Sequence, residues 1–373
     1  MRLAWRELRR KPSRFAVATV ILFLLSVLLM FLGGLLDGLI GNATGAYSAQ
    51  RADLIVYSST AQDALERSRI EPDVRTQVAD TLGDDARVGG LASVTLGGRL
   101  DGRGPRDLVS TVLWGYELAP KGLPDTPPPP GQVYADESLE AEGVAVGTTI
   151  RLGPDQTPLR VLGFVDRRES SSNGALWGSL DTWRDTVADN LPGQRVGDDV
   201  VQALVIQSTE GVLLDETASR IDDATSGATR TLTIDQAIEA IPGVSAQRST
   251  FNQILGVTVG IAIVVVALFF ALLTVERTGL YGVLKALGAR SRTLFAGVVL
   301  QALVVTLIAS AVGVAATLAF AALIPPGTIP FQVGPARLVG SVAVLLVAAV
   351  IGCAFSLRRV LRIDPAAAIG GAT

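Results

Sequence analysis

Few residue types that could do chemistry occur in this chain of 373 residues. The sequence has no histidine and one cysteine, Cys353, which excludes Ser-His-Asp and Cys-His nucleophiles, histidine-ligated zinc and histidine-ligated haem. It also lacks a G-x-x-x-x-G-K-[ST] phosphate loop and any other nucleotide-binding fingerprint. We therefore expect no catalytic residues, no cofactor and no metal site. If ATP is used, another polypeptide binds it.

Asp37 is the first candidate for a functional side chain, because it follows a long apolar stretch that begins at Phe15. An ionisable residue at membrane depth marks a functional site by default. The alternative is that Asp37 lies at the membrane interface and is simply hydrated. In the same stretch, Met30 either contacts a ligand or fills a packing gap, and the second interpretation is favoured.

Four long, almost uncharged stretches must position such residues: Phe15–Leu36 and, approximately, residues 254–275, 294–324 and 338–355. A helix rises about 1.5 Å per residue, so roughly 20 residues cross the hydrocarbon core. Hydrophobic residues make up 49% of the chain, and its mean hydropathy is +0.43. The sequence therefore predicts an α-helical membrane protein with four transmembrane helices, in preference to a protein with four buried core helices.

Charge is distributed unevenly along the chain. Residues 1–14, 276–293 and 357–373 together carry 13 basic and 3 acidic residues, whereas residues 51–250 carry 18 basic and 31 acidic ones. Basic residues that flank spans stay in the cytoplasm. We expect a multi-pass protein of the cell membrane with both termini inside. The first apolar run, about 22 residues long, exceeds a signal-peptide core of roughly 7–15, so we expect a retained span.

The predicted organisation places a mixed α/β extracytoplasmic domain between the first and second transmembrane helices. Within it, short Val-, Leu- and Ile-rich runs predict strands, Gly97–Gly104 predicts turns, and Pro124–Pro130 predicts a stiff connector that could separate two lobes. The domain is acidic, so we expect no nucleic-acid partner. The full division is a cytoplasmic amphipathic segment (1–14), transmembrane helices (15–40, 253–275, 294–324, 338–356), the α/β domain (41–252), a coupling segment (276–293), an outer loop (325–337) and a cytoplasmic tail (357–373).

Two regions resemble the FtsX/MacB-type ABC permease family. One runs from IPGVSAQRSTFNQI at Ile241 through Glu276-Arg277 to GVLKALGA at 282–289, and the other is Leu357–Ala368 with its Arg-Ile-Asp-Pro. YADESL at 134–139 and RVLGFVD at 160–166 are similar to haem-export (Hrt-type) and DevC-type permeases. The resemblance implies the permease subunit of an ABC-type exporter, a homodimer in the lipid bilayer docked on a separate cytoplasmic ABC ATPase. It also implies mechanotransmission, with haem or another amphipathic molecule exported from the outer leaflet.

The resemblance also indicates which residues to examine. A short, stiff helix after the second span could transmit force from an ATPase, although its basic groups could instead contact anionic lipid. An iron ligand without histidine would have to be Met30, Tyr47 or a carboxylate such as Asp37. The coupling candidates are Glu276, Arg277, Leu280, Leu284, Lys285, Leu287 and Gly288, and the substrate candidates are Met30, Phe31, Asp37 and Phe251.

A second function remains open at this point. An FtsX-like transmembrane signal transducer would regulate an extracytoplasmic partner, with no transport. A sensor without an ATPase partner is a third possibility, but it leaves residues 282–289 unexplained. The motifs Gly34-x-x-x-Gly38 and Gly256-x-x-x-Gly260 permit a close helix pair within or between subunits.

Overall fold

The computed structural model describes residues 12–101, 104, 107–165, 173–194, 196–209, 213–276, 291–324 and 329–360. The chain divides into a helical unit, Met1–Gly38 with Arg248–Thr373, and an α/β unit, Leu39–Gln247. The elements in chain order are α1 (Pro12–Ser48), β1 (Leu54–Ser58), α2 (Pro72–Leu82), β2 (Ala86–Leu100), β3 (Val109–Tyr116), β4 (Gln132–Asp136), α3 (Ser138–Ala141), β5 (Thr149–Leu152), β6 (Thr157–Val165), β7 (Gly174–Ser179), α4 (Leu180–Asn190), β8 (Ala203–Ser208), α5 (Leu214–Ala224), β9 (Thr229–Thr233), α6 (Ile234–Ala240), α7 (Val244–Val275), α8 (Ser291–Leu323) and α9 (Pro335–Val360).

The helical unit contains the long helices α1, α7, α8 and α9. Each is long and apolar enough to cross a membrane, over Ala16–Ser48, Val244–Leu272, Ala296–Leu323 and Pro335–Phe355 respectively. This confirms the prediction of four apolar spanning helices. The helices are several residues longer than the predicted spans, because polar residues at their ends continue the helical backbone.

Small residues allow the four helices to pack closely. A Cβ on Gly313 of α8 would meet the side chain of Ser26 on α1, and one on Gly352 of α9 would lie 3.0 Å from Val266 of α7. Such close backbone approaches are the usual packing device of helices in lipid. Large apolar side chains such as Leu268 and Val339 remain exposed on the helical unit, as expected for a surface that faces hydrocarbon rather than water.

The α/β unit is organised by the long strand β2. Residues 91–98 of β2 pair with β3 and residues 98–100 pair with β5, so the strands β2-β3-β7-β4-β6-β5 close on themselves as a barrel. The first residues of β2, 86–91, pair instead with β8, and β1 and β9 follow beyond it. Helices α2 and α5 pack together beside this smaller antiparallel sheet.

The α/β domain between the first two spanning helices is confirmed, but two details of its prediction are wrong. Gly97 and Gly98 belong to β2 instead of a turn; the strand needs a glycine there because a Cβ on Gly98 would lie 2.9 Å from Ile150. The Pro124–Pro130 connector joins β3 to β4, which lie in the same barrel. Strand β2, and not this connector, is what the barrel and the smaller sheet share.

Candidate functional site

An ion pair joins α1 to α9 in the helical unit. Arg337 donates from Nε to Oδ2 of Asp37 at 2.7 Å and from Nη2 to the other carboxylate oxygen. About a third of each side chain is exposed, 32% for Arg337 and 34% for Asp37. A bidentate arginine–carboxylate pair is among the stronger polar contacts. These two residues are also the only charged ones in residues 15–50 and 293–357 of the sequence.

Glycines on α1 make room for this ion pair. A Cβ on Gly33 would lie 2.9 Å from Cδ of Arg337, so only glycine lets the arginine lie flat along the helix. Gly34 and Gly38 face the segment that precedes α9, where a Cβ would overlap Phe331 and the backbone of Pro330. The backbone N–H of Gln332 donates to the carbonyl of Gly34 at 3.0 Å.

The Gly34-x-x-x-Gly38 motif, which permits a close helix pair, accommodates a loop on α1 in this structure. In contrast, a Cβ on Gly256 or Gly260 would meet nothing within 4 Å among the described residues. Both glycine positions of the α7 motif are thus open among the residues that the structure describes.

Aromatic side chains hold the loop in place. Phe331 stacks on Phe31 of α1 with ring centroids 5.3 Å apart, and Phe320 of α8 meets both rings edge-on at 5.4 and 5.9 Å. Each such pair contributes about 0.5–1.5 kcal/mol beyond its buried area. The start of α9, and with it Arg337, is thereby fixed against α1.

A cleft opens between α1, α7 and α9 beside the ion pair. Its volume is about 520 Å³, within the range of about 300–1,000 Å³ that is usual for small-molecule sites. Arg337 and Asp37 supply its charged groups, and its walls are otherwise small or apolar. The wall residues are Leu29 on α1, Leu255, Gly256 and Val259 on α7, and Ala336, Gly340, Ser341 and Val344 on α9.

Of the four substrate candidates, Asp37 is the one that lines this cleft. Met30 is fully buried, and its sulfur accepts weak hydrogen bonds from Ser26 and from Thr317 of α8 at 3.8 and 3.9 Å. Phe31 belongs to the aromatic cluster, and Phe251 lies half-buried on α7. The structure therefore places Asp37 at the cleft and the other three candidates elsewhere in the helical unit.

The structure describes only the first of the coupling candidates. Glu276 follows the last turn of α7, where its backbone N–H donates to the carbonyl of Leu272 at 3.0 Å. The other six coupling candidates lie outside the described residues. They are Arg277, Leu280, Leu284, Lys285, Leu287 and Gly288.

Arg337 is the residue of this candidate site that the sequence analysis does not identify. The predicted boundary placed it in the outer loop, whereas it lies in the first turn of α9. A signal was available: an unpaired carboxylate is costly in hydrocarbon, and Arg337 is the single basic residue between positions 293 and 357. Pairing the two lone charges would have identified the contact.

Comparison with known proteins finds similarity to permeases. The FtsX-like permease C-terminal family matches residues 252–365. The chain is 21% identical to a Staphylococcus epidermidis protein named as a hemin transport system permease, HrtB. This alignment spans 373 residues and covers 100% of this chain and 99% of the relative. A Mycobacterium tuberculosis ABC transporter permease is 37% identical over 112 residues, which cover 30% of this chain and 31% of the relative.

Among solved structures, the chain is similar to the periplasmic region of MacB from Actinobacillus actinomycetemcomitans. That match has a TM-score of 0.36 and 11% sequence identity, and it covers 53% of this chain and 95% of the MacB chain.

Proposed function

The chain carries an FtsX-like permease domain, and from that premise we propose that it is the permease subunit of an ABC-type exporter for haem or a similar amphipathic molecule. The matched family covers residues 252–365, which include α8, α9 and most of α7. The full-length relative named for hemin transport supports the choice of substrate. In this proposal a separate cytoplasmic ATPase supplies the energy, and the α/β unit is extracytoplasmic.

The cleft between α1, α7 and α9 is the observation that carries the proposal. Leu29, Leu255, Val259 and Val344 give it apolar walls, and the Asp37–Arg337 pair gives it one charged region. An amphipathic ligand needs this combination, because its flat apolar body leaves water while its acidic groups require a cation. By the predicted topology, the cleft lies at the level of the outer leaflet, from which such a ligand would enter.

Arg337 is the residue that would recognise the acidic group of the ligand. A guanidinium carries five N–H donors in a planar fork, and Asp37 accepts from the Nε and Nη2 groups. A ligand carboxylate can bind the same fork, either beside Asp37 or in its place. Exchange of one carboxylate for the other would release α1 from α9, which links ligand binding to a movement of the helices.

In the proposed cycle, ATP-driven movement reaches the cleft through α7. This helix contributes Leu255, Gly256 and Val259 to the cleft and ends one residue before Glu276, the first of the predicted coupling residues. A helix is stiff over this length and can transmit a displacement along its axis. We propose that two copies of the chain form the homodimer and that the coupling segment of each docks on one ATPase subunit.

Spectral titration of the purified full-length chain with hemin tests this proposal. We expect a saturable change in the haem absorption that Arg337→Met weakens and Gly340→Leu abolishes, because leucine at position 340 fills the cleft. Gly297→Leu on α8 is the matched control, since a Cβ at either glycine meets nothing within 4 Å among the described residues. The Met30→Leu variant should bind hemin normally, because the Met30 sulfur of the unsubstituted chain contacts Ser26 and Thr317 and does not line the cleft. A spectral change that persists in Gly340→Leu would exclude the cleft as the substrate site.

A further inference from the structure

A second cavity, of about 210 Å³, lies wholly within the α/β unit. It is enclosed by the end of α1, the segment after β1, the middle of β2 and β3, and the residues just before α7. The residues that line it include Tyr47, Asp63, Glu66, Thr95, Trp114 and Pro242. The cleft in the helical unit shares none of these residues, and the function proposed above does not use them.

The cavity carries negative charge from two carboxylates. Asp63 pairs with Nε of Arg230 at 2.6 Å and keeps one-fifth of its side chain exposed, so its charge is largely offset. Glu66, three residues further on, is exposed and adds a second carboxylate. Burial and, after it, the neighbouring Tyr47 hydroxyl raise the pKa of the Tyr57 hydroxyl, and Asp63 and Glu66 add smaller effects in the same direction. The balance of charge therefore favours a cationic occupant.

Trp114, which lines the cavity, carries a buried hydrogen-bond donor. Trp114 is 1% exposed, and within the described residues its indole Nε1–H has no hydrogen-bond partner. Trp177 stacks on this indole at 5.5 Å and Tyr47 meets it edge-on at 5.6 Å, so the ring is fixed. An unsatisfied buried donor costs about 1–3 kcal/mol, which a ligand acceptor would recover.

The backbone that presents the carboxylates is held in an unusual conformation. Gln62 and Asp63 are consecutive non-glycine residues with φ of 55° and 60°, a region that side chains adopt at a cost of about 1–3 kcal/mol. A hydrogen bond from Arg67 to the Gln62 side chain at 2.7 Å supports this turn. The Asp63 carboxylate is thus positioned by the fold before any ligand arrives.

From these observations we propose that this cavity binds a small organic ammonium ion that also bears an oxygen acceptor. The ammonium group lies against Glu66 and Asp63, and the ligand oxygen accepts from Nε1 of Trp114. Because Tyr47 belongs to the end of α1 and Pro242 lies two residues before the start of α7, the bound ligand links these two helices within the α/β unit. The site is an effector site, and its occupancy does not depend on transport or on haem.

Calorimetric titration of the full-length chain in a sugar-headgroup detergent tests the site, with choline as the probe. We expect saturable binding with a dissociation constant on the order of 1 mM or lower. The neutral isostere 3,3-dimethylbutan-1-ol has the same shape without the charge and should bind at least about tenfold more weakly, since one charge contact is worth about 1.4 kcal/mol or more. Equal binding of the two compounds, or no saturable heat from choline, would overturn the proposal.

Two substitutions locate the binding. Glu66→Gln should weaken choline binding about tenfold, whereas Glu140→Gln, a matched change at an exposed glutamate of α3, should leave it unchanged. Trp114→Phe keeps an aromatic ring in the stack and removes only the N–H, so it should weaken binding severalfold. Normal binding by Glu66→Gln would place the ligand elsewhere. The comparison of choline with its isostere needs no variant, so it decides the proposal even if a variant misfolds.

Discussion

Arg337 donates two hydrogen bonds to the carboxylate of Asp37, and this contact joins residues that are 300 positions apart in the chain. Each partner is the lone charge of a long apolar region. In a low-dielectric environment each alone would be costly, so the pair fixes the start of α9 against α1. The same pair supplies the charged groups of the cleft between α1, α7 and α9.

Removing either member of this pair should destabilise the helical unit. We expect Asp37→Ala or Arg337→Ala to cost about 1–3 kcal/mol, because the remaining charge loses its partner in a partly buried site. The double variant should be less unstable than the sum of the two, since it leaves no lone charge. Thermal unfolding in detergent measures all three.

The ion pair Arg51–Asp125, whose side chains are 44% and 83% exposed, is the control for this comparison of single and double variants. Arg51→Ala should cost at most about 1 kcal/mol, as surface ion pairs usually do. Strict additivity of the two changes at Asp37 and Arg337 would show that their contact contributes nothing to folding.

Alanine substitution should change the stability of the protein differently at glycines of α1 and of α7. Gly38→Ala introduces a Cβ that overlaps the backbone of Pro330, so we expect a loss of about 1–3 kcal/mol from the overpacked contact. Gly260→Ala meets no described atom within 4 Å and should be neutral or up to about 1 kcal/mol stabilising from helix propensity. Apparent melting temperatures compare the two. Equal effects would mean that the loop does not lie against Gly38.

Sequence patterns predict those elements of the α/β unit that have clear local signals. The run at 53–57 predicts β1 because it is rich in Val, Leu and Ile, and residues 71–82 predict α2 because Pro72 stands at a helix start. The patterns do not predict β2, β4, β5, β7 or β9. Strand β7, with the sequence GALWGS, contains Gly174 and Gly178, yet it lies buried between β3 and β4. Its pairing depends on partners far away in the chain, which no local pattern reports.

The candidate site was predicted only in part for a similar reason. The sequence identifies Asp37 as a charge in an apolar run, but the predicted boundary assigns its partner, Arg337, to a loop. Arg337 reaches Asp37 because Phe331 stacks on Phe31 and the loop lies on the glycines of α1. That arrangement is a property of the packed helices. Met30, in contrast, follows the favoured sequence interpretation and fills a gap between α1 and α8.

Substitutions in the coupling segment should separate ATP hydrolysis from transport. Glu276→Ala, or Lys285→Glu combined with Leu287→Asp, should leave the chain folded in the membrane but abolish substrate-stimulated ATPase activity. A reversed charge and a buried aspartate both disfavour docking on a partner. Lys121→Glu, at an exposed lysine of the α/β unit, is the matched control. Normal stimulation of the double variant would exclude this segment as the docking site.

The orientation of the chain in the membrane can be read by cysteine labelling. In a Cys353→Ser background, a cysteine at Ser226, an exposed turn residue of the α/β unit, should react with a membrane-impermeant thiol reagent on intact cells. A cysteine at Ser291, the first residue of α8, should react only after permeabilisation, as the charge bias predicts. Labelling of position 291 on intact cells would reverse the proposed topology.

The most direct test of the proposed export function is ATPase activity of the chain reconstituted with its cognate ATPase in lipid vesicles. We expect hemin to stimulate hydrolysis saturably, Gly340→Leu to abolish the stimulation while basal hydrolysis persists, and Gly297→Leu to behave as the unmodified chain. Stimulation by an extracytoplasmic protein partner, with no response to hemin or any other amphipathic compound, would instead identify a signal transducer and contradict transport through the cleft.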